Sequence, residues 1–253
     1  MNIDLLIVDI IEETNNTRSF ILKDINSKII TFTPGQYITL KLRFEGETLV
    51  RSYSISSIPE MLPLLRITIK HNYNSPSYTE FSQTLRIGDI ITAETIEGNF
   101  YISEKEFINS YLFIAAGSGI TPIISMINSL LMKSNNIKVK LLYQNRNEEL
   151  VIFYDEIIKL SKKHENFDVE FYFSKPLKLD KESAKRINPD ILSVYYLKNR
   201  EVLNNSEIFV CGPNQLIDMV FSTFKEFGFR ENRLHREIFE KKEDFDNSFI
   251  TKV

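Results

Sequence analysis

Tyr111 to Pro122 reads YLFIAAGSGITP, and the reading of this stretch decides the fold. Its first six residues are apolar or aromatic, a short run that suits a strand buried on both faces. Gly117-Ser118-Gly119 breaks the run, and Thr121-Pro122 leads into an amphipathic segment, Ile123 to Leu131. The pattern predicts a strand, a tight turn and a helix. Glycines in such a turn admit a ligand close to the backbone. The first N–H groups of the helix that follows favour a phosphate there. A turn of this kind, at the end of a parallel strand, is where α/β proteins hold dinucleotides. The same residues also suit an ordinary strand–helix turn whose glycines save space, because Pro122 stands where G-x-G-x-x-G has its third glycine. The rest of the chain has to decide.

On the amino-terminal side the pattern is different. Ile3–Ile11, Arg18–Lys23, Tyr37–Phe44, Leu49–Ile55, Leu65–Lys70 and Asp89–Thr92 are short runs rich in Ile, Leu, Val, Thr and Tyr. Turn residues separate them, among them Asn15-Asn16, Thr33-Pro34-Gly35, Glu45-Gly46 and Gly88-Asp89. This spacing predicts a small antiparallel six-stranded barrel, with a short helix over Ser82–Arg86. Beyond about Phe100, strand-like and helical runs alternate: Tyr111–Ala116 and Ile123–Lys133, Ile137–Gln144 and Phe153–His164, Phe167–Ser174 and Ser183–Leu197, Glu207–Cys211 and Asn214–Phe227. That order predicts a Rossmann-like parallel sheet with helices on both faces. The expected fold class is therefore β followed by α/β, with domains at 1–103 and 104–253.

The 253 residues suffice for two ordinary domains. A composition of 43% hydrophobic and 26% charged residues is that of a globular protein. A formal net charge of -3 gives no reason to expect a surface for nucleic acid or for an anionic membrane. No run approaches the roughly 18 apolar residues of a membrane span. The start, MNIDLLIVDIIEETN, carries Asp4 and Asp9 and lacks the basic region of a secretory signal. The cytoplasm is the expected compartment. One cysteine rules out an internal disulfide and any cluster held by four cysteines of this chain. His71, His164 and His235 are scattered, and they suggest neither a zinc site nor a catalytic triad.

Two further stretches carry chemistry. Arg51-Ser52-Tyr53-Ser54 lies on a predicted strand, where Arg51 and Tyr53 share one face and Ser54 takes the other. An arginine fork, an aromatic ring and hydroxyls in that arrangement can hold a flat ligand bearing a phosphate. An edge strand with exposed Arg and Tyr fits the tetrapeptide too. Cys211-Gly212-Pro213 follows the apolar run Ile208–Val210 and precedes a predicted helix, with Pro213 suited to its first position. A thiol there faces the crevice in which parallel sheets bind ligands, or else it is a buried core cysteine.

Taken together, these motifs resemble the ferredoxin–NADP(+) reductase superfamily. Arg51-Ser52-Tyr53-Ser54 matches its R-x-Y-S flavin motif, Gly117-Ser118-Gly119-Ile120-Thr121-Pro122 its G-x-G-x-T-P nucleotide motif, and Cys211-Gly212-Pro213 its C-G-P. Pro34-Gly35-Gln36-Tyr37, Gly98-Asn99-Phe100 and His235-Arg236-Glu237-Ile238-Phe239 agree in order. The resemblance runs from about Ile3 to Phe239 and is nearest to oxygenase-type ferredoxin reductases, without their fused iron–sulfur domain.

The resemblance implies FAD, with NADPH or NADH, as cofactors. It places Arg51 at the flavin pyrophosphate, Tyr53 against the isoalloxazine and Ser54 near flavin N5, with Ser52 between them. The strand bearing Thr68, Ile69 and Lys70 would present backbone groups to the pyrimidine edge, and Thr79 would stand at the pyrophosphate. Gly117, Ser118, Gly119, Thr121 and Pro122 would receive the nicotinamide nucleotide together with Gly212 and Pro213, and Cys211 would lie near its reactive carbon. Glu237 would approach the same place and Phe239 would cover the flavin, so the expected catalytic residues are Ser54, Cys211 and Glu237. Arg146 and Lys175 suit a ribose 2′-phosphate, whereas Glu148 and Glu149 suit a free hydroxyl.

The implied activity is that of a ferredoxin–NAD(P)H reductase, taking hydride from NAD(P)H onto FAD and passing electrons to a ferredoxin or an oxygenase component. Two alternatives keep the fold: a reductase of free flavin, and a non-catalytic redox-relay subunit.

Overall fold

The structure, a computed structural model, describes residues 3–44, 47–71, 81–103, 108–178 and 181–239. Its first half is a six-stranded sheet. The strands are β1 (Ile3–Thr14), β2 (Thr17–Asp24), β3 (Tyr37–Phe44), β4 (Glu47–Ser54), β5 (Leu64–Lys70) and β6 (Ile90–Glu97), in the order β4-β3-β6-β1-β2-β5. Every neighbouring pair is antiparallel. A bridge between Ile55 and Ile67 joins the two ends of that order, so the sheet curls round a common interior. Alternate side chains line this interior, as a period of two requires. Leu5, Ile7, Phe20, Leu22, Ile38, Leu40, Leu65 and Ile67 are all buried within it. A four-residue helix, α1 (Phe81–Thr84), adds Phe81 to the same cluster.

The expected last strand, Asp89–Thr92, extends in fact to Glu97. Ala93, Glu94 and Glu97 carry little strand propensity, but β6 pairs with β1 through Ile90–Ala93 and with β3 through Thr92, Ala93 and Thr95–Glu97. The pairing partners, rather than the side chains, hold this second half extended.

The second half is a five-stranded parallel sheet of β7 (Ser110–Ala116), β8 (Lys138–Asn145), β9 (Phe167–Phe173), β10 (Glu207–Cys211) and β11 (Leu234–Glu237), in the order β11-β10-β7-β8-β9. The central strand β7 is buried at all seven positions. Tyr111, Phe113 and Ala115 pack beneath α2 (Ile120–Lys133) and α3 (Tyr154–Lys163) on one face. Leu112, Ile114 and Ala116 pack on the other face, against α4 (Pro189–Lys198) and α6 (Asn214–Glu226). The chain moves outward from β7 through β8 to β9 and returns beside β7 as β10. The order therefore reverses between β7 and β10, the point at which open sheets of this kind form a crevice.

Two expectations are corrected, and two elements are added. The helix expected over Ser183–Leu197 starts at Pro189, where the Asn188 side chain caps it by accepting the Ile191 N–H at 2.8 Å. An Asn before a Pro is a helix start, and the apolar periodicity on either side concealed it. Between α4 and β10 lies a further short helix, α5 (Arg200–Leu203). Pro213 is the N-cap of α6 rather than its first residue, with φ −61° and ψ 144°. The segment Leu234–Glu237 is also a strand, paired in parallel with β10 so that Glu237 stands opposite Cys211.

Helix α2 is buried on two sides, since ten of its fourteen residues are inaccessible. One side covers the parallel sheet and the other meets the barrel, where Ser125 Oγ donates to the Ser57 carbonyl. At the same junction Gly35 has φ +103°, and a Cβ on it would lie 2.0 Å from the Phe100 carbonyl oxygen. Only glycine fits there.

Candidate flavin and nucleotide site

The turn after β7 is the floor of a cleft. Gly117–Gly119 forms a single 3-10 turn that runs directly into α2. Gly117 has φ +54°, and a Cβ there would meet only the Lys70 Nζ, at 3.6 Å. The hydroxyl of the fully buried Tyr143 donates to the Gly117 carbonyl at 2.9 Å and holds the turn from beneath. Gly119 differs. A Cβ there would lie 2.1 Å from the Cys211 carbonyl oxygen. The two glycines thus have separate duties. Gly117 opens the backbone toward the cleft, and Gly119 lets the turn pack against the end of β10.

The cleft, of about 880 Å³, is bounded by this turn, by Gly212 and Pro213 after β10, and by Gln144, Asn145 and Arg146 at the end of β8. Ser174, Lys175 and Arg186 close its far side. From the barrel, Lys70 at the end of β5 reaches in, and Phe239 stands at the mouth, 47% exposed. Burial lowers the pKa of the Lys70 ammonium. The buried amide nitrogen of Asn145 finds no hydrogen-bond acceptor among the described residues. A buried donor without a partner costs free energy unless a ligand completes it. The residues present fit a phosphate-bearing nucleotide. They offer a helix N-terminus, a backbone free of side chains at Gly117, an unsatisfied amide donor and several cations.

The flavin motif stands on β4. Arg51 and Tyr53 lie opposite Leu40 and Ile38 of β3, on the inner face of the barrel, as alternation predicts. Tyr53 packs on the barrel core, with its ring 6.4 Å from that of Phe81. Burial raises its phenol pKa, and the Arg51 charge opposes that shift. The Arg51 guanidinium donates to the Val50 carbonyl at 2.9 Å. Ser52 faces the opposite side and bonds Thr39 at 2.9 Å. Ser54 is buried opposite Tyr37.

Other expected residues serve the site only from within. The Thr68 hydroxyl is buried between Ser19 at 2.8 Å and Ser56 at 3.0 Å, and Ile69 is a core residue. On that strand, only Lys70 presents a side chain to the cleft. Thr121 is buried and donates to the Ser118 carbonyl at 3.0 Å, and Pro122 is buried beside it. This pair shapes the turn without lining the cleft. Thr79 lies outside the described residues.

Cys211 is fully buried among the side chains beneath α2, and its thiol pKa is pushed well up, first by burial and then by the Glu237 charge. The thiol is therefore neutral. Glu237 lines a neighbouring cavity of about 600 Å³ with Tyr37, Glu97 and Arg236. Burial raises its carboxyl pKa to about 7. Lys70 and Arg186 as side-chain contributors escaped the sequence reading. Nothing local marks either one, and only the fold brings them to the Gly117 turn.

Comparison with known proteins agrees with this geometry. Residues 4–102 match the family described as oxidoreductase FAD-binding domain, and residues 113–221 the oxidoreductase NAD-binding domain. Cytochrome b5 reductase 4 of Homo sapiens is 28% identical over 234 residues, which are 88% of this chain and 44% of that protein. The ferredoxin reductase component of 3-ketosteroid-9-alpha-monooxygenase from Rhodococcus rhodochrous is 28% identical over 245 residues, covering 93% of this chain and 64% of that one. The chain thus spans about half the length of the curated relatives it matches. Among solved structures, the CS-b5R domains of human Ncb5or in their NAD+ form superpose with a TM-score of 0.83 at 27% identity, over 93% of this chain and 69% of that one.

A curled antiparallel sheet bearing R-x-Y-S, followed by a parallel sheet bearing the nucleotide turn, defines an FAD- and NAD(P)-binding oxidoreductase. The chain belongs to the ferredoxin–NADP(+) reductase superfamily. Among the described residues, no helix is long and apolar enough to cross a membrane.

Proposed function

We propose that this chain is a cytoplasmic NADPH-dependent reductase that loads electrons onto bound FAD and hands them to a separate protein acceptor. The observation that carries the reading is the shared cleft, in which Lys70 at the end of barrel strand β5 stands over Gly117 of the nucleotide turn. The bound cofactors supply the redox chemistry, which is hydride transfer from nicotinamide to flavin and onward release of electrons. The protein binds, aligns and excludes water. In this reading the domains divide near residue 103.

On the barrel, Arg51 neutralises the flavin pyrophosphate, Tyr53 offers its ring to the flavin from the inner face of β4, and Ser54 donates a hydrogen bond at the barrel end. In the cleft, the Gly117–Gly119 turn and Lys70 hold the nucleotide phosphates. Glu237 on β11 forms the wall at the nicotinamide end, and the neutral Cys211 thiol, opposite it on β10, is buried behind that wall and lines neither cavity. Burial disfavours charge on both groups, so this wall suits a ring with no full charge of its own in the reduced state. Phe239 at the mouth is free to cover the flavin.

Three cations at the far side of the cleft, Arg146, Lys175 and Arg186, support NADPH over NADH, since a 2′-phosphate wants basic partners. Glu148 does not argue against this. Its carboxylate accepts the N–H groups of Leu177 at 2.9 Å and Lys178 at 3.1 Å, which directs it to the backbone.

The acceptor we favour is a small one-electron carrier: a ferredoxin, an oxygenase component or a haem protein of the cytochrome b5 kind. The names of the relatives support that class. The test is steady-state turnover with each nucleotide against a ferredoxin, a cytochrome b5 and free flavin. The reading predicts a higher kcat/KM for NADPH, lost in Arg146→Ala/Arg186→Ala, and a preference for a protein acceptor. Equal use of both nucleotides, or turnover with free flavin alone, contradicts it.

A further inference from the structure

The seam between the barrel and the parallel-sheet half contains a polar cluster that the site itself does not use. At its centre is Arg66 on β5, whose side chain is 11% exposed. Its Nε donates to Ser56 Oγ at 3.1 Å and its Nη2 to the Ser56 carbonyl at 2.8 Å, both on the barrel side. Its Nη1 donates to Glu156 Oε2 at 2.7 Å and its Nη2 to Glu156 Oε1 at 3.4 Å, both on α3. Glu156 also accepts Asn128 Nδ2 of α2 at 2.8 Å. A planar guanidinium has its donors in a fixed fork, so bonds to both halves fix direction as well as distance.

A second observation marks the same place. The guanidinium carbon stands 4.5 Å from the centre of the Phe153 ring. Phe153 is buried and adopts φ +61°, ψ 27°. A bulky residue in the left-handed region is strained, and it stays there only where the surroundings over-determine it. Here the ring lies under Arg66 and the backbone opens α3. Glu13 of β1 faces the same cluster, its carboxyl pKa raised by burial against the pull of Ser19 and of the Arg66 charge.

Both ends of this cluster lead to the site. Arg66 is four residues before Lys70 on one strand, and Thr68 lies between them. Asn128 and Ser125 are on α2, the helix whose N-terminus forms the nucleotide turn. We propose that Arg66 is a positioning residue: by bridging Ser56 and Glu156 it sets the angle at which the nucleotide turn meets the barrel. The proposal rests on the reading of the chain as an FAD- and NAD(P)H-dependent reductase. Transfer between two rings demands contact geometry, and a misplacement of about 1 Å can lower a rate roughly 10²-fold.

The test has two arms. In the first, spin labels at Lys28→Cys on the barrel and Lys162→Cys on α3 report the distance between the halves. Both positions are exposed, and the buried Cys211 is protected from labelling. The parent pair should give one narrow distance distribution. Arg66→Met should broaden it, with Arg66→Lys between the two, and Glu156→Gln serves as a second variant if Arg66→Met does not fold. In the second arm, Arg66→Met should retain FAD and bind nucleotide within a few-fold of the parent, while flavin reduction at saturating nucleotide slows roughly 10- to 100-fold. A distribution that stays narrow in both Arg66→Met and Glu156→Gln overturns the proposal, and so does an unchanged reduction rate beside a broadened one. Failure of the parent protein to be reduced by either nucleotide would overturn the reductase reading instead, while the label distances would still decide the clamp.

Discussion

Replacing Gly119 with alanine separates packing from ligand approach in the nucleotide turn. Its backbone is ordinary right-handed helix, with φ −61° and ψ −9°, so an added methyl brings no conformational strain. All of the cost is steric. The new Cβ would lie 2.1 Å from the Cys211 carbonyl oxygen, 2.5 Å from its carbon and 2.9 Å from the Gly212 nitrogen. These are backbone atoms of a strand end held by β7 and β11, and no flexible side chain can move aside. The turn must withdraw from β10 by about 0.9 Å to reach even 3.0 Å. Overpacking of that size costs about 3 kcal/mol, the upper end of the usual range, because both partners are backbone. For a chain of this length the melting temperature should fall by roughly 6–12 °C. Gly117→Ala is the control. A residue at φ +54° costs roughly 1–2 kcal/mol, and its methyl meets nothing closer than the movable Lys70 Nζ. Thermal unfolding followed by circular dichroism should rank Gly119→Ala well below Gly117→Ala, and Gly117→Ala should raise KM for the nucleotide. A Gly119→Ala protein melting within about 2 °C of the parent would refute the assignment of this glycine to close packing.

Two other outcomes follow from the site. The Glu237 carboxyl has its pKa raised by burial to about 7, from 4.5 in an open environment. The folded state therefore holds this proton more tightly than the unfolded state, and its contribution to stability is full below about pH 4.5 and lost as pH rises through 7. Glu237→Gln should flatten the melting temperature between pH 5 and 8, and an unchanged slope would place the titrating group elsewhere. Arg51→Ala removes a cation from the expected pyrophosphate position. A lost charge-assisted bond of about 1.5–3 kcal/mol predicts FAD affinity weaker by roughly 10- to 100-fold, read as flavin content after dialysis. Full retention would deny Arg51 that role.

Much of this architecture is legible without coordinates, for reasons that can be named. Tyr111–Ala116 is apolar at every position because β7 is buried on both faces, so a local run announces a central strand. The barrel strands announce themselves by alternation. The edges are harder. β11 reads Leu-His-Arg-Glu, and its pairing with β10 makes it a strand where its own side chains do not. The glycine turn was legible as a turn, but its division of labour was not, because Gly119 is constrained by a strand end more than ninety residues away in sequence. Thr121 and Pro122 carry the motif yet sit behind the turn, since conserving a turn's shape and touching a ligand leave the same mark in a short pattern. Arg66, Lys70 and Arg186 act through contacts that only the tertiary fold creates.

The proposed function requires one cleft to bring a flavin on the barrel under a nicotinamide on the parallel sheet. Rapid anaerobic mixing of the FAD-loaded protein with NADPH tests it most directly, with absorbance followed in the visible flavin band. The account predicts complete bleaching in a single turnover. A yellow protein whose band survives excess NADPH and excess NADH alike would contradict it.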